Sequence, residues 1–121
     1  MIKSIVFIIY NVIRIGIYKL LYNKRFTCSP IQRINPFCSL KLYKKGKMII
    51  GKNCEFEHGC DFQVHDNATL KIGDRTYFNR YCMISAHLHI EIGEGCMFGP
   101  GVKIFDNNHR FSKKDGVLPQ L

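Results

Sequence analysis

The first 47 residues contain no aspartate or glutamate, although they hold ten of the 18 lysines and arginines in the chain. Residues 48–121 carry eight basic and nine acidic residues, so the formal net charge of +9 belongs to the N-terminal segment alone. With only ten glycines and four prolines the chain is not collagen-like, and a hydrophobic fraction of 46% excludes a disordered chain. Its 121 residues predict one domain at most.

The N-terminal segment also lacks the features of a cleavable signal peptide, because Arg14 interrupts the apolar stretch and no small-x-small cleavage site follows. Projected at about 100° per residue, it forms an amphipathic helix, predicted over residues 1–27, with one narrow polar stripe on a mostly aliphatic surface. The stripe consists of Lys3, Ser4, Asn11, Arg14, Tyr18 and Arg25. Crossing a membrane would place Arg14 near the bilayer centre, at a cost of about 2.5–3.5 kcal/mol.

We therefore expect this helix to lie in the membrane interface, with its polar stripe in water and its aliphatic arc in lipid. Residues 28–45, which include Pro30 and Pro36, are predicted to be a basic linker, so that residues 1–47 together face anionic headgroups. The expected location is the bacterial cytoplasm, peripherally on the inner membrane. The alternative is a helix whose apolar face packs on the protein's own core or on a partner subunit. Nucleic acid is not expected as a partner, because the basic residues are interleaved with aliphatic rather than base-stacking side chains.

An internal repeat organises the second half of the chain. Large apolar residues recur in steps of six, and three such sets of three can be aligned. The nine positions are Ile50, Phe56 and Phe62, then Ile72, Phe78 and Ile84, then Ile92, Phe98 and Ile104. The residues two positions before each of these are apolar or small. A helix cannot produce this period, whereas short parallel strands on a three-sided coil do, with like residues stacking about 4.8 Å apart.

The extra residues of the longer coils all fall at one corner, between the third position of one coil and the first of the next. Gly51, Gly73 and Gly93 follow the first position of each coil, where the chain turns, and we expect a positive φ there. Cys54, Cys60, Cys82 and Cys96 fall at small inward positions, and no CxxC pair occurs. We expect reduced core thiols rather than a disulfide scaffold, with Cys28 and Cys38 outside the repeat.

These hexapeptides resemble those of the left-handed parallel β-helix acyltransferases. The resemblance implies an all-β solenoid, a left-handed parallel β-helix of three hexapeptide coils over residues 46–111, preceded by the N-terminal amphipathic α-helix. The segment from Phe105 to Phe111 looks like the catalytic stretch of the maltose, galactoside and capsular polysaccharide O-acetyltransferases. That likeness implies acetyl-CoA as co-substrate, a sugar or polysaccharide acceptor, and a homotrimer that holds acetyl-CoA between two subunits.

By the same resemblance His109, five residues past the inward Ile104, is expected to be the catalytic residue that deprotonates the acceptor hydroxyl. A neutral imidazole with a pKa near 6.5 suits that general base. The turn at Asn79 resembles the family's acceptor loop, so Asn79 is expected to bind substrate, as are Asp106 and Asn108. Some sugar acetyltransferases have a second Asn where this chain has Tyr81. The alternative for His109 is a solvent-exposed loop histidine.

His65 and His87 lie at the same corner of successive coils, three residues past Phe62 and Ile84. Stacked imidazoles can bind a metal, as in the β-helical carbonic anhydrases. Their spacing does not match that family, so we expect solvated corner histidines and no metal.

The related acetyltransferases continue past the catalytic loop with further coils, whereas here residues 112–121 follow as a loop. We therefore expect a chain truncated at its C-terminus. The expected function is an acetyl-CoA-dependent O-acetyltransferase acting on a cell-envelope or capsular polysaccharide precursor. The alternative is a non-catalytic, membrane-associated β-helix that lacks a complete acetyl-CoA site.

Overall fold

The structure is a computed structural model that describes residues 2–106, with side chains from residue 5 onward. Helix α1 spans Ile2–Tyr22 and continues into a 3₁₀ turn at Asn23–Arg25. The strands that follow are β1 (Phe26–Cys28), β2 (Arg33–Ile34), β3 (Ser39–Leu42), β4 (Lys47–Ile50), β5 (Glu55–Phe56), β6 (Asp61–Val64), β7 (Thr69–Ile72), β8 (Tyr77–Phe78), β9 (Met83–Ala86), β10 (His89–Ile92), β11 (Met97–Phe98) and β12 (Lys103–Phe105).

These strands form a parallel β-solenoid of about four turns, with three four-stranded sheets. The first sheet contains β1, β4, β7 and β10, the second β2, β5, β8 and β11, and the third β3, β6, β9 and β12. We number the coils 1 to 4 in chain order, each contributing one strand to every sheet. The predicted solenoid fold with a preceding helix is confirmed.

The predicted stacking of inward residues is confirmed position by position. Ile72 pairs with Ile50 on one side and Ile92 on the other. The same holds for Phe78 with Phe56 and Phe98, and for Ile84 with Phe62 and Ile104. The strands through Ile92 alternate buried with less buried residues, because successive side chains of a strand point to opposite faces; β9 is the exception, since Ser85 is buried as well. The core is therefore the interior of the coil.

The solenoid has one coil more than the sequence predicts. The segment 28–45, expected to be a linker, forms most of coil 1, in which Cys28, Ile34 and Leu40 stack on Ile50, Phe56 and Phe62 of coil 2. The repeat is hidden there because Cys28–Ser29 replaces the Ile-Gly pair and the polar Gln32 takes a small inward position. Gln32 is buried, and its Oε1 accepts a hydrogen bond from the backbone N–H of Cys54 at 2.8 Å.

The six cysteines are free thiols, five of them buried and Cys96 half-buried. The inward placement of Cys54, Cys60 and Cys82 is confirmed. Cys28 and Cys38 belong to the same interior once coil 1 is recognised, since Cys38 lies two residues before the inward Leu40. Burial raises the pKa of Cys28 to about 12. These thiols therefore act as small core side chains.

None of the three glycines that follow the first inward position has a positive φ; close packing requires glycine at Gly51 and Gly73, whereas Gly93 has room for a Cβ atom. The left-handed residues lie two positions later, at Asn53, Arg75 and Gly95, so the expected φ at these glycines is wrong. A Cβ atom on Gly73 would come within 2.7 Å of the backbone nitrogen of Glu94 and the carbonyl carbon of Gly93. The next coil approaches too closely there for any side chain.

Replacing Gly73 with alanine should lower the free energy of unfolding by about 1–3 kcal/mol, because two backbone segments must move apart. Gly93→Ala is the matched control: a Cβ there meets only Cys96 Sγ, at 3.7 Å, which is ordinary contact. Urea unfolding followed by circular dichroism compares the two variants. Equal midpoints for the two would contradict the close approach.

Helix α1 closes the first edge of the solenoid with its polar stripe. Asn11 is fully buried, and its Nδ2 donates to the carbonyl oxygens of Ile34 at 2.8 Å and Gln32 at 3.4 Å. The Arg14 guanidinium donates to the carbonyl of Cys38 at 2.5 Å. The carbonyls of coil 1 have no preceding strand to bond to, and amide and guanidinium donors satisfy them.

This orientation corrects the expected direction of the polar stripe and one half of the alternative, while packing on a partner subunit stays a prediction. The polar stripe was expected in water, yet Asn11 and Arg14 lie against protein. The alternative placed the apolar face on the protein's own core, yet of the aliphatic side chains described in α1 only Ile15 is buried. Beside it the Tyr18 ring packs edge-on against Phe26, with ring centroids 5.4 Å apart. Ile8 is half-buried, and the other described aliphatic side chains of α1 are exposed.

Candidate functional site

The predicted acceptor residue Asn79 lies at the corner between the second and third sheets, which we call the second corner. Its Oδ1 accepts the backbone N–H of Arg80 at 2.7 Å, which holds the turn. Its backbone carbonyl accepts a hydrogen bond from the Cys60 thiol at 3.2 Å. Among the described residues none accepts a hydrogen bond from Asn79 Nδ2. This amide group is therefore available to a ligand.

The second corner turns through a left-handed residue in each of coils 2 to 4. The three positions are Gly59 with φ 80°, Tyr81 with φ 60° and Gly101 with φ 73°. A bulky residue is rare in this region of φ. The Tyr81 ring lies over Gly59, in the space that a Cβ atom at that position would fill. Glycine at 59 thus makes room for the Tyr81 ring.

A cleft of about 770 Å³ opens at the second corner, between coil 1 and coil 3. Its walls combine aromatic with charged side chains, chiefly Phe37, His58, Tyr81, Arg33, Glu55 and Glu57. The His58 ring lies 5.2 Å from Phe37 and 5.6 Å from Tyr81, centroid to centroid. The sequence pattern missed this cleft. Its only signal was an aromatic or histidine residue two or three positions after the middle inward residue of coils 1 to 3.

The charges along this cleft are partly neutralised within it. Arg33 Nη2 lies 3.4 Å from Glu55 Oε1, with both side chains partly exposed. Partial burial and a hydrogen bond shared with Glu57 raise the pKa of Glu55, and the positive charge of Arg33 opposes that rise. Glu55 therefore holds a proton more readily than an isolated carboxyl does, and in its protonated form it can donate as well as accept a hydrogen bond.

Asp106 lies at a different corner of the coil, between the third sheet and the first. Its Oδ2 accepts the backbone N–H groups of Leu88 at 2.8 Å and His89 at 2.7 Å, and its Oδ1 accepts that of His87 at 2.5 Å. Partial burial acts to raise its pKa, but these three N–H donors outweigh it and hold the pKa of Asp106 below its usual value. The carboxylate thus closes the turn at 87–89, and its predicted role in substrate binding stays a prediction.

His109 and Asn108, the predicted base and its neighbour, lie outside the described residues. The structure therefore places two of the four predicted site residues, Asn79 and Asp106. They occupy different corners of the coil.

His65 and His87 form a parallel stack at the corner that Asp106 closes. Their ring centroids are 3.9 Å apart, and Tyr43 of coil 1 stacks on the outer face of His65 at 5.1 Å. Ser85 Oγ lies 3.1 Å from His65 Nε2 and 3.2 Å from His87 Nε2, so one hydroxyl bridges the two rings. Within residues 2–106 no cluster of three or more His, Cys, Asp or Glu residues is arranged to hold a metal ion.

This stack should make stability fall with acid. Burial and then the neighbouring His87 lower the pKa of His65 from its usual 6.5, although Asp106 acts in the opposite sense. Below about pH 6.5 the unfolded chain therefore binds more protons than the folded one, and stability decreases as the pH falls. When the pH is lowered from 7.5 to 5.5, the melting temperature of His65→Gln should fall less than that of the wild type. The control is His89→Gln, an exposed histidine paired with Glu91, and a parallel loss in wild type and His65→Gln would contradict the assignment.

The hydropathy of helix α1 bears on membrane association. The segment Ile5–Arg25 contains 18 consecutive residues with a mean hydropathy of 1.6, and it is long and apolar enough to cross a membrane, by length and composition alone. Only 17% of those 18 residues are buried in the structure.

Comparisons with known proteins return no match to this chain from family models, curated proteins or solved structures. What is established for this chain is therefore its fold, a parallel β-solenoid of about four turns with an N-terminal helix.

Proposed function

We propose that this solenoid belongs to an acetyl-CoA-dependent O-acetyltransferase that modifies a sugar hydroxyl of a cell-envelope or capsular polysaccharide precursor. The observation that carries the proposal is the stacking of all nine predicted inward residues, which are the residues on which the resemblance to the hexapeptide acyltransferases rests. The proposed active form is a homotrimer, as the resemblance implies.

In the proposed reaction His109 acts as the general base. Its neutral imidazole accepts the proton of the acceptor hydroxyl while the hydroxyl oxygen bonds to the acetyl carbonyl carbon. The carbon–sulfur bond of the thioester then breaks, the protonated imidazole of His109 gives its proton to the sulfur, and coenzyme A leaves as the thiol. Positioned base catalysis of this kind contributes typically about 10²- to 10⁴-fold in rate.

The second corner supports the acceptor side of the proposal. Asn79 Oδ1 accepts the backbone N–H of Arg80, and its Nδ2 can donate to a sugar hydroxyl. The cleft beside it offers carboxylates and a guanidinium for further hydroxyls, together with the exposed ring of Tyr81 for an apolar sugar face. This mixture of stacking surface and charged hydrogen-bonding groups suits a polyol.

The test is release of free thiol from acetyl-CoA by the purified full chain, in the presence of candidate glycans. We expect His109→Ala to lower turnover by about 10²- to 10⁴-fold. His89→Ala is the matched control, since that histidine is exposed and pairs only with Glu91 among the described side chains. Turnover unchanged in His109→Ala would refute the base. Absence of acetyl-CoA binding by calorimetry would favour the non-catalytic alternative.

A further inference from the structure

The outward face of α1 is a continuous aliphatic surface on an otherwise ordinary protein exterior. Nine large apolar side chains of the helix are between 42% and 82% exposed. They are Ile5, Val6, Ile9, Tyr10, Val12, Ile13, Ile17, Leu20 and Leu21. A helix of 21 residues is about 30 Å long, and monomeric soluble proteins rarely expose so large an apolar area without a partner for it.

The inward face of α1 fixes which way this surface points. Asn11 and Arg14 are bonded to backbone carbonyls of coil 1, and Ile15 is buried beside them. Rotating the helix to hide its aliphatic side would break these bonds and leave buried carbonyls without donors, at a cost of about 1–3 kcal/mol each. The contacts with coil 1 therefore hold the aliphatic face of α1 outward, across the coil 1 end of the solenoid.

The surroundings of the aliphatic face are positively charged. The first 47 residues contain no acidic side chain. Lys19 and Lys24 are exposed at the C-terminal end of α1, and Lys44 and Lys45 are exposed on the adjoining corner of coil 1. Arg25 joins the two regions, since its guanidinium donates to the backbone carbonyl of Lys44. Near an anionic surface each such cation contributes about 1 kcal/mol to binding.

We propose that α1 seats the solenoid on an anionic lipid bilayer, with the helix in the plane of the interface and coil 1 nearest the membrane. The aliphatic face enters the headgroup and acyl boundary, and the lysines around it meet lipid phosphates. The solenoid axis then points away from the bilayer, and coil 4 faces the aqueous phase. This arrangement holds whether or not the chain is an enzyme.

Two other arrangements fit the structure less well. A membrane-spanning helix would have to release Asn11 and Arg14 from coil 1 and carry both into the hydrocarbon core. A second copy packed on the same face would bring the two sets of lysines together with no acidic side chain of residues 1–47 to pair with them. An anionic bilayer provides hydrocarbon for the apolar face and negative headgroups for the lysines.

Vesicle flotation with the full chain tests the proposal, using phosphatidylcholine vesicles with and without phosphatidylglycerol. We expect binding to the anionic vesicles, and its loss in the double variant Ile13→Asp/Ile17→Asp. Lys44→Glu/Lys45→Glu should weaken binding about tenfold or more, with the remaining binding less sensitive to salt. The matched control is Leu88→Asp/Met97→Asp, which places the same two negative charges as the helix variant on side chains 70% and 79% exposed away from α1, and it should bind as the wild type does.

The orientation has its own test, because the chain contains no tryptophan. A single tryptophan at Leu20→Trp, on the helix, should shift its emission to the blue when anionic vesicles are added. One at Met97→Trp, in coil 4, should not. An equal shift at both sites would overturn the end-on arrangement.

The competing occupant gives a different result. If light scattering finds a dimer that Ile13→Asp/Ile17→Asp dissociates, and the wild type does not float with vesicles, a second copy covers this face and the proposal is wrong. Circular dichroism of each variant shows whether the solenoid is still folded. The changed side chains are exposed, so folding should be retained.

Discussion

Phe78→Ala should lower the free energy of unfolding by about 3–5 kcal/mol, the largest single effect expected in this protein. Phe78 is fully buried at the centre of an aromatic cluster. Its ring centroid lies 4.6 Å from that of Phe98, 4.9 Å from that of Phe62 and 5.4 Å from that of Phe56. Alanine would leave a cavity between two rings of coil 2 and one of coil 4, and rigid strands on both sides prevent its collapse.

Urea unfolding followed by circular dichroism measures this loss. Phe37→Ala is the control with the same chemical change, on a side chain 74% exposed, and should shift stability by no more than about 0.5 kcal/mol. A loss of this size is a large part of the stability of a small domain. If Phe78→Ala does not fold, Phe78→Leu should still cost about 1–2 kcal/mol. Equal stabilities for the Phe37 and Phe78 variants would contradict the central position of Phe78.

Asn11→Ala should destabilise the protein by about 2–4 kcal/mol. The substitution removes the donor that satisfies the carbonyls of Ile34 and Gln32 at the first edge of the solenoid. Each buried carbonyl left without a donor costs about 1–3 kcal/mol. Alanine is the better helix former by a few tenths of a kcal/mol, and Asn11 Oδ1 has no hydrogen-bond partner among the described residues, so the net loss stays in this range.

Thermal unfolding of Asn11→Ala should be compared with that of Val12→Ala. Val12 is the next residue of the same helix and is exposed, so its replacement should change stability by about 0.5 kcal/mol or less. Melting temperatures that agree for the two variants would show that Asn11 is not what closes the edge. Hydrogen exchange at coil 1 adds a local readout, since loss of the cap should speed exchange there before it does so in coil 3.

The coil interior could be predicted from the sequence because its side chains repeat in register. Ile72 and Phe78 meet like residues above and below, and a parallel strand pair brings identical positions together. No helix produces large apolar residues in steps of six with all the extra residues at one corner. Coil 1 escaped prediction because Cys28 and Gln32 stand where the later coils have isoleucine and small residues. Coil 1 still packs on coil 2, because the buried Gln32 side chain forms hydrogen bonds with the backbone of coil 2.

The candidate site was predictable only in part. Asn79 could be assigned to a corner because it directly follows an inward residue. The cleft beside it could not, since Phe37 lay in the segment interpreted as a linker and Tyr81 adopts a left-handed φ that its residue type disfavours. Asp106 lies two residues after the last inward residue, yet the three backbone N–H groups that occupy it belong to the corner that joins coil 3 to coil 4. Such contacts arise only when the coils are stacked.

The sequence by itself determined that a two-faced helix precedes a three-sided parallel coil, because periodicity records which side chains share a face. Only the tertiary structure decided which face of the helix meets the coil. Hydrophobicity alone would turn the aliphatic side inward, but the partner surface is a row of backbone carbonyls on an open sheet edge. Backbone groups leave no mark in a side-chain pattern, and their need for hydrogen bonds turns Asn11 and Arg14 inward and the aliphatic residues outward.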